Sequence, residues 1–534
     1  MLDRIRNVLG PELTAATVAD ILAKEQGDRV AAILDVPLPY EGFSGESLSY
    51  DQVRRFVART AFVLETNLGI RRGDRVVVCT SGLFDELLVV LAAFRLGAVT
   101  VLLPADTGAA ALAHALSEER APALITDRTV WDQVVFDPPP RTLAFLGPAA
   151  SAPEGAVSID AALARSSAER DPEKVEGEQA IAIFRSSARS ALSGGAVLTS
   201  EGLTARGRPL ALVKPQRGAV GIAALPLADL TGFCSAVAAL AAGVTLHHVV
   251  RFDAARALEA IERRRATAFF GCSWMYRAMA DAGLDGFDLR SVRLWASATD
   301  RIPVELIGEF KRRGAMFRVG PWRTEAIFVD GYGTAELPGA AVLRLSPPGI
   351  SRWDESVVGI PIHPFRAKVC DDAGHELGRA EAGELWIQGP GMGGPGADLT
   401  SDGWLRTGEL ASQDFLGLLH FEAARRSVIR AGGYTVQPAQ IERALASHPA
   451  VESVLAFGVP HPTRREMPVA VVAGREGAEV EPDALLAWAR ERLADHKAPR
   501  RIWIVSPEDL PRGADREALR AALRRRYADT FLRL

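Results

Sequence analysis

The chain has 534 residues, of which 48% are hydrophobic and 24% charged: ordinary for a soluble globular protein, and too long for one hydrophobic core. A net charge of −4 gives no reason to expect nucleic acid or an anionic membrane as partner. Four cysteines, at positions 79, 234, 272 and 370, show neither disulfide density nor metal-ligand spacing, which fits a reducing, cytoplasmic setting and no metal.

From the start, Met1 to Gly10 carries charges where a signal peptide needs an apolar run. Arg75 to Cys79 reads as a strand, Asp85 to Arg95 as a helix and Val99 to Leu103 as a strand. Pro138 to Pro140 and Pro148 to Gly155 mark an exposed loop region. The strand–helix–strand order returns with Ala219 to Leu225, Gly232 to Ala242 and Val244 to Val250, then a helix from Ala254 to Arg265 and a strand from Thr267 to Phe270. Two apolar stretches, Leu87 to Leu103 and Gly232 to Val250, are interrupted by Arg95 and Gly97 and by Gly243. Each reads as a buried helix, turn and strand rather than a membrane span. Such alternation predicts an α/β fold: mostly parallel sheets with flanking helices.

From about Asp402 to Gly433 turn residues dominate. Short helix (Pro438 to Ser447), strand (Val451 to Gly458), strand (Val469 to Ala473) and helix (Pro482 to Leu493) follow, the texture of a small α+β domain. The predicted division is a large domain over 1–422, a hinge over 423–428 and a small mobile lid domain over 429–534. Arg501 to Arg526 is locally basic and reads as a solvated helix face.

Several strings recur in a familiar order. Tyr332-Gly333-Thr334-Ala335-Glu336 is followed by Gly403-Trp404-Leu405-Arg406-Thr407-Gly408-Glu409, Asp414-Phe415-Leu416-Gly417, Ile429 to Gly433, and Val436-Gln437-Pro438-Ala439-Gln440-Ile441-Glu442. His448-Pro449-Ala450-Val451 and Leu510-Pro511-Arg512 complete the set. Each string alone is weak. Together, over about two hundred residues, they resemble the adenylate-forming superfamily of acyl- and aryl-acid CoA ligases. The resemblance implies a large N-terminal domain and a lid that rotates between an adenylating and a thioester-forming pose.

Triphosphate binding needs converging backbone N–H groups and a cation. The family supplies a loop of the type Tyr-Thr-Ser-Gly-Thr-Thr-Gly-x-Pro-Lys-Gly. Here the matching stretch is Phe184-Arg185-Ser186-Ser187-Ala188-Arg189-Ser190-Ala191-Leu192-Ser193-Gly194, with serines at both early glycines and Ser193 at the lysine. Side chains where backbone must approach phosphate are a steric objection. Arg185 or Arg189 would have to supply the charge. The family's lysine after Leu-Pro-Arg is missing from Leu510 to Arg520, a loss worth a few kcal/mol of electrostatic stabilisation. The hinge Gly-Arg-x-x-Asp appears as Ala423-Ala424-Arg425-Arg426-Ser427, and the adenine-site Ser-Gly-Gly as Ser297-Ala298-Thr299. Glu409 stands at the ribose-binding Asp and Ala335 at the Thr before Glu336. Ser186, Ser193, Thr334 and Glu409 are thus remnants of a nucleotide site, and adenylation is expected to be lost.

What survives serves the other half-reaction. Gly432, Gly433 and Tyr434 match the loop that borders the pantetheine tunnel, although Gly432-Gly433 also reads as a plain turn. The acyl pocket is expected near Asp229, around Phe270, Gly271 and Trp274, and along Gly331, Tyr332 and Gly333. Asp229 stands at a gate position and suits an amino substituent or a base role; an exposed loop aspartate is the plainer reading. Cys272 is a candidate acyl carrier, against the usual small buried hydrophobe. Glu336, the family's magnesium ligand, is a candidate base or a structural acid. Pro438 and Glu442 read as lid structure, and His247 and His248 as structural.

The expected function is an ATP-independent acyltransferase that moves an aromatic acyl group from a CoA thioester to the pantetheine thiol of an acyl carrier protein, as in polyketide pathways, with no cofactor. A CoA ligase with an atypical ATP site, using Arg185, Arg189 or Lys497, is the first alternative, and a non-catalytic binding protein the second.

Overall fold

The computed structural model describes residues 12–134, 142–185, 195–204, 218–298, 302–319, 322–333, 337, 340–350, 356–371, 373–392, 399–424, 429–431, 434–436, 438–475, 480–506, 509–510 and 516–531. Strands β1 (Arg75–Cys79), β2 (Val99–Leu103), β3 (Ala123–Asp127), β4 (Leu143–Leu146), β5 (Val157–Ser158), β6 (Ala180–Phe184) and β7 (Ala196–Thr199) form one sheet in the order β5-β4-β3-β1-β2-β6-β7. All neighbours are parallel except β6 and β7. Their sequences are near-continuous apolar runs because both faces are covered: every residue of β2 and β3 is buried. Helix α1 (Phe84–Arg95), crossing from β1 to β2, is buried at every position, including Asp85, Glu86 and Arg95.

A second sheet is built around β8 (Val220–Ala223), β9 (Thr245–His248), β10 (Ala268–Gly271), β11 (Leu294–Ala298) and β12 (Ile327–Tyr332), in the order β12-β11-β10-β8-β9 and all parallel. Short strands Val30–Leu34 and Ser47–Ser49 extend it at the β9 edge, and antiparallel strands between Val342 and Ala424 extend it at the other. Helix α2 (Leu230–Ala242) links β8 to β9 and ends on Gly243, whose φ of 78° suits a residue without Cβ.

The chain leaves β8 to one side for β9 and returns on the other side as β10, from which it continues outward to β11 and β12. The sheet therefore reverses direction between β8 and β10, and the loops after Ala223 and Gly271 part there. In open parallel sheets that crevice, beyond the carboxyl ends of the strands, is where ligands bind. Asp229 follows β8 and Cys272 follows β10, so both lie at the reversal.

The expected elements form with boundaries shifted by one to four residues: 84–95, 220–223, 230–242, 245–248, 254–264, 268–271, 438–446, 451–461, 465–474 and 482–492. Ala423 and Ala424, placed in the hinge from sequence, finish strand Leu419–Ala424 of the large domain; 425–428 lie outside the described residues. The small domain packs helix α3 (Pro438–Ala446) and helix α4 (Pro482–Arg492) against a sheet whose longest strands, Val451–His461 and Arg465–Gly474, pair antiparallel. Among the described residues no helix is long and apolar enough to cross a membrane.

Gly232 sits in the first turn of α2, where a Cβ would fall 1.9 Å from the carbonyl oxygen of Pro226. Gly232→Ala should therefore cost about 1–3 kcal/mol of overpacking strain, read from the urea midpoint; an unchanged midpoint would contradict this packing.

Candidate functional site

Asp229 precedes α2 with extended backbone, yet its side chain makes no capping hydrogen bond to the helix. It is half-buried, and burial raises its pKa to about 6, assisted by the nearby Asp106 and opposed by Lys497. Lys497 comes from the small domain, just beyond α4. It is only 7% exposed, and burial lowers its pKa to about 8 against the opposing pull of Asp229. Among the described residues its ammonium has neither a hydrogen bond nor an ion pair within 4 Å. The same seam carries the backbone amide of Asp495, which donates to the Asp106 carboxylate. It also carries α4 itself, packed against helix Ala109–Glu118 of the large domain. His496, half-buried next to Lys497 in sequence, is held neutral with a pKa of about 3, chiefly by desolvation.

Behind this seam lies a second, deeper acidic group. Tyr40 donates to Asp85 at 2.5 Å, Ser81 donates to Asp127 through both its amide and its hydroxyl at 2.6 Å, and Thr80 donates to Glu86. Burial lifts Asp85 to about 6 and Glu86 to about 8. The sequence shows these acids only as two charges in the first turn of an apolar helix, where helix-dipole compensation is the ordinary explanation.

A third group forms at the far end of β12. Glu409 is 5% exposed; it accepts from the Tyr332 hydroxyl at 2.5 Å and pairs with Arg430, the second residue of the lid strand Ile429–Ala431. The residue at the ribose-binding position is thus occupied by a tyrosine and an arginine, and it ties the small domain to the large one. Arg430 was not singled out from sequence.

The candidate residues separate on inspection. Phe270 is half-buried at the crevice, in register with Ala223 of β8. Gly271 is required by packing, since a Cβ would meet the Phe269 ring at 2.6 Å. Gly331 is likewise confined, by Ala340 at 2.8 Å. Trp274 is half-buried, its ring edge-on to Phe252 at 5.1 Å. Cys272 is 4% exposed and packs in the core cluster with Phe269, Met275 and Tyr276, so the acyl-carrier role gives way to that of a small buried hydrophobe. Gly333 is half-buried in the chain leaving β12. Thr334, Glu336, Ser186, Ser193, Gly432 and Gly433 lie outside the described residues, as does the Tyr434 side chain.

Two expectations about charge are corrected or refined. Arg185 is not available to a phosphate: it is 5% exposed and pairs with Glu118 at 2.6 Å and Glu119 at 3.4 Å. Ser297, at the adenine-site position, is buried with its hydroxyl unpartnered. Glu442 accepts from the Ala456 amide at 3.0 Å and from Arg520 at 2.8 Å, a lid-internal role. His247 and His248 are buried on Asp35 (2.6 Å) and the Gly82 carbonyl (2.9 Å). Among the described residues no three His, Cys, Asp or Glu side chains are grouped to hold a metal ion.

Residues 20–394 match the AMP-binding enzyme family, and residues 440–515 match the AMP-binding enzyme C-terminal domain. The chain belongs to the AMP-binding enzyme family. It is 29% identical over 497 residues to a feruloyl-CoA synthase of Amycolatopsis sp, covering 90% of this chain and 94% of that one. It is 27% identical over 467 residues to a 2-succinylbenzoate–CoA ligase of Geobacillus kaustophilus, covering 86% and 89%. Among solved structures, an amide bond synthetase from Marinactinospora thermotolerans superposes with a TM-score of 0.75 at 25% identity, covering 95% of this chain and 99% of that one. The α/β architecture with a large sheet-and-helix domain and a small C-terminal domain is that of adenylate-forming enzymes.

Two outcomes follow from these charges. Arg185→Met should destabilise the fold by about 2–4 kcal/mol, because it strands the buried Glu119 beside a single remaining arginine, Arg75. Stability unchanged, with nucleotide binding lost, would contradict the structural role. For Glu86 the sign runs downward with pH. Its folded pKa of about 8 lies above the ordinary 4.5, so between these values the folded chain keeps a proton that the unfolded chain has released. Stability should fall as pH rises from 5 to 8, and Glu86→Gln should flatten that slope by at least ~1 kcal/mol. Equal slopes in urea titrations of both proteins would rule this out.

Proposed function

We propose that this AMP-binding family member is an ATP-independent acyltransferase that moves an aromatic acyl group from a CoA thioester to the pantetheine thiol of an acyl carrier protein. The reading rests on one observation above others: cations placed near the nucleotide site are committed to carboxylates. Arg185 is held by Glu118 and Glu119, and Arg430 by Glu409. Added to this are the serines at the glycine positions of the phosphate loop and the lysine missing after Leu510. Thioester exchange needs none of those groups. It is nearly isoergic and asks for orientation of two reactants, a thiolate, and donors toward the developing oxyanion. The crevice between the loops after β8 and β10 offers an apolar wall at Phe270 and a carboxylate at Asp229 for such a reactant. Gly432 and Gly433, retained where the family borders its pantetheine tunnel, support delivery of a thin extended chain. No nucleotide, metal or other cofactor enters this scheme.

The named relatives favour a second reading, an acid–CoA ligase, since the feruloyl-CoA synthase and 2-succinylbenzoate–CoA ligase are similar over most of the chain. In it Lys497, with Asp229 displaced, would meet the anionic substrate. Intact-mass measurement of a holo carrier protein, incubated with aryl-CoA thioesters in nucleotide-free buffer, separates the two. Transfer that is abolished by Gly432→Trp is expected. Pyrophosphate exchange with an aryl acid, and no transfer without ATP, would return the ligase reading.

A further inference from the structure

The Arg430 side chain starts in one domain and ends in the other. Its strand, Ile429–Ala431, is fixed within the small domain: it pairs with Tyr434–Val436, and the Arg430 amide donates to the Glu466 carboxylate at 2.7 Å. Ala431 lies opposite Arg465 of the long strand Arg465–Gly474. The guanidinium, however, donates to Oε1 of Glu409, in strand Leu405–Gln413 of the large domain. The other oxygen of that carboxylate accepts from the Tyr332 hydroxyl at 2.5 Å, and Tyr332 is the last residue of β12. Both oxygens of one buried carboxylate are thus engaged, one by each domain. The Arg430 side chain is itself only 16% exposed. Withdrawing it would leave the desolvated Glu409 charge with the Tyr332 hydroxyl as its one donor among the described residues. Breaking a buried pair from one side is strongly unfavourable, whereas an exposed pair contributes little. The seated arrangement of the domains therefore needs no ligand between them to hold it.

We propose that Tyr332, Glu409 and Arg430 form a latch that holds the small domain seated without nucleotide, and that Arg430 thereby positions the strand pair Ile429–Ala431 and Tyr434–Val436 against the end of β12 for transfer. The second half rests on the transferase reading, which expects its acyl group along Gly331 and Tyr332; the latch itself does not. Arg430 and Glu409 are positioning residues, since they act by placing one domain on the other. A planar guanidinium suits that task better than an ammonium, because its fork fixes direction as well as distance.

Arg425-Arg426, in sequence between the strand Leu419–Ala424 and Ile429, gives trypsin a point of attack between the domains. Where reclosing outpaces cleavage, native-state proteolysis follows the population of the open form. Arg430→Met and Glu409→Gln should each speed cleavage there by at least about tenfold. The double variant should add little to the faster single one, because both act on one pair. Arg430→Lys should recover part of the protection. Intact mass assigns the bond that is cut. Cuts spread through both domains would report an unfolded variant, and the milder Tyr332→Phe then takes its place, with a smaller rise expected at the same bond. Wild-type cleavage rates in the folded variants would overturn the latch.

Single-turnover transfer from an aryl-CoA thioester to a holo carrier protein tests the positioning. At saturating thioester, Arg430→Met should slow the step on the order of tenfold, with the thioester dissociation constant within about twofold of the wild type. Arg430→Lys should regain part of the rate. An unchanged rate beside faster cleavage would overturn the positioning role and keep the latch. A wild-type protein that transfers from no thioester overturns the transferase reading instead, and the trypsin result, which needs no substrate, still decides the latch.

Discussion

Ionisable groups withdrawn from water mark both domains: burial raises the Asp229 carboxyl of the large domain to about 6 and lowers the Lys497 ammonium of the small domain to about 8. Asp229 caps no amide of its helix, and among the described residues the Lys497 ammonium has no hydrogen bond or ion pair. A buried ammonium without a counter-charge is costly enough that the group tends to neutralise, and the reverse holds for the carboxylate. Cross-domain contacts among the described residues include Arg430 on Glu409, the Asp495 amide on Asp106, and α4 packed against helix Ala109–Glu118. The described contacts between the domains thus include charged and partly desolvated groups.

That arrangement bears on the chemistry retained by a member of the AMP-binding enzyme family. A nucleotide site collects cations and exposed backbone amides. Here Arg185 faces away from that task, Glu409 is spent on Tyr332 and Arg430, and carboxylates outnumber the cation at the seam. Like charges gathered in a desolvated crevice disfavour a polyanion and favour protonated or neutral reactants. A thiol and a thioester are both neutral at the reacting atoms. The architecture shared with the CoA ligases supplies a crevice at a sheet reversal and a lid over it, and neither feature requires ATP.

The fold was legible because its signals are local and repeated. Apolar β-branched runs such as Arg75–Cys79 and Val99–Leu103 are buried on both faces, and Gly97 and Gly243 punctuate them where left-handed backbone is needed. Of the candidate site, only positions such as Glu409, which lie inside a motif string, could be singled out from such local signals. Asp85, Glu86 and Asp106 were not recognised, since a charge in a first turn or a loop is commonplace and its burial depends on strands far away in sequence. Lys497 was noted only as a spare cation; its relation to Asp229 spans 268 positions and exists through domain packing alone. Cys272 shows the opposite case: it follows β10 at the sheet reversal, but its side chain packs into the core.

The central claim is that the protein binds an activated thioester and not ATP. Thermal unfolding with Mg-ATP, with CoA, and with a panel of aryl- and acyl-CoA thioesters addresses it directly. A ligand at about a hundred times its dissociation constant adds roughly 2.7 kcal/mol when it binds only the folded chain. Stabilisation by one or more CoA thioesters, with no shift from Mg-ATP, is the predicted result. A clear shift from Mg-ATP, matched by none from the thioesters, would contradict the account.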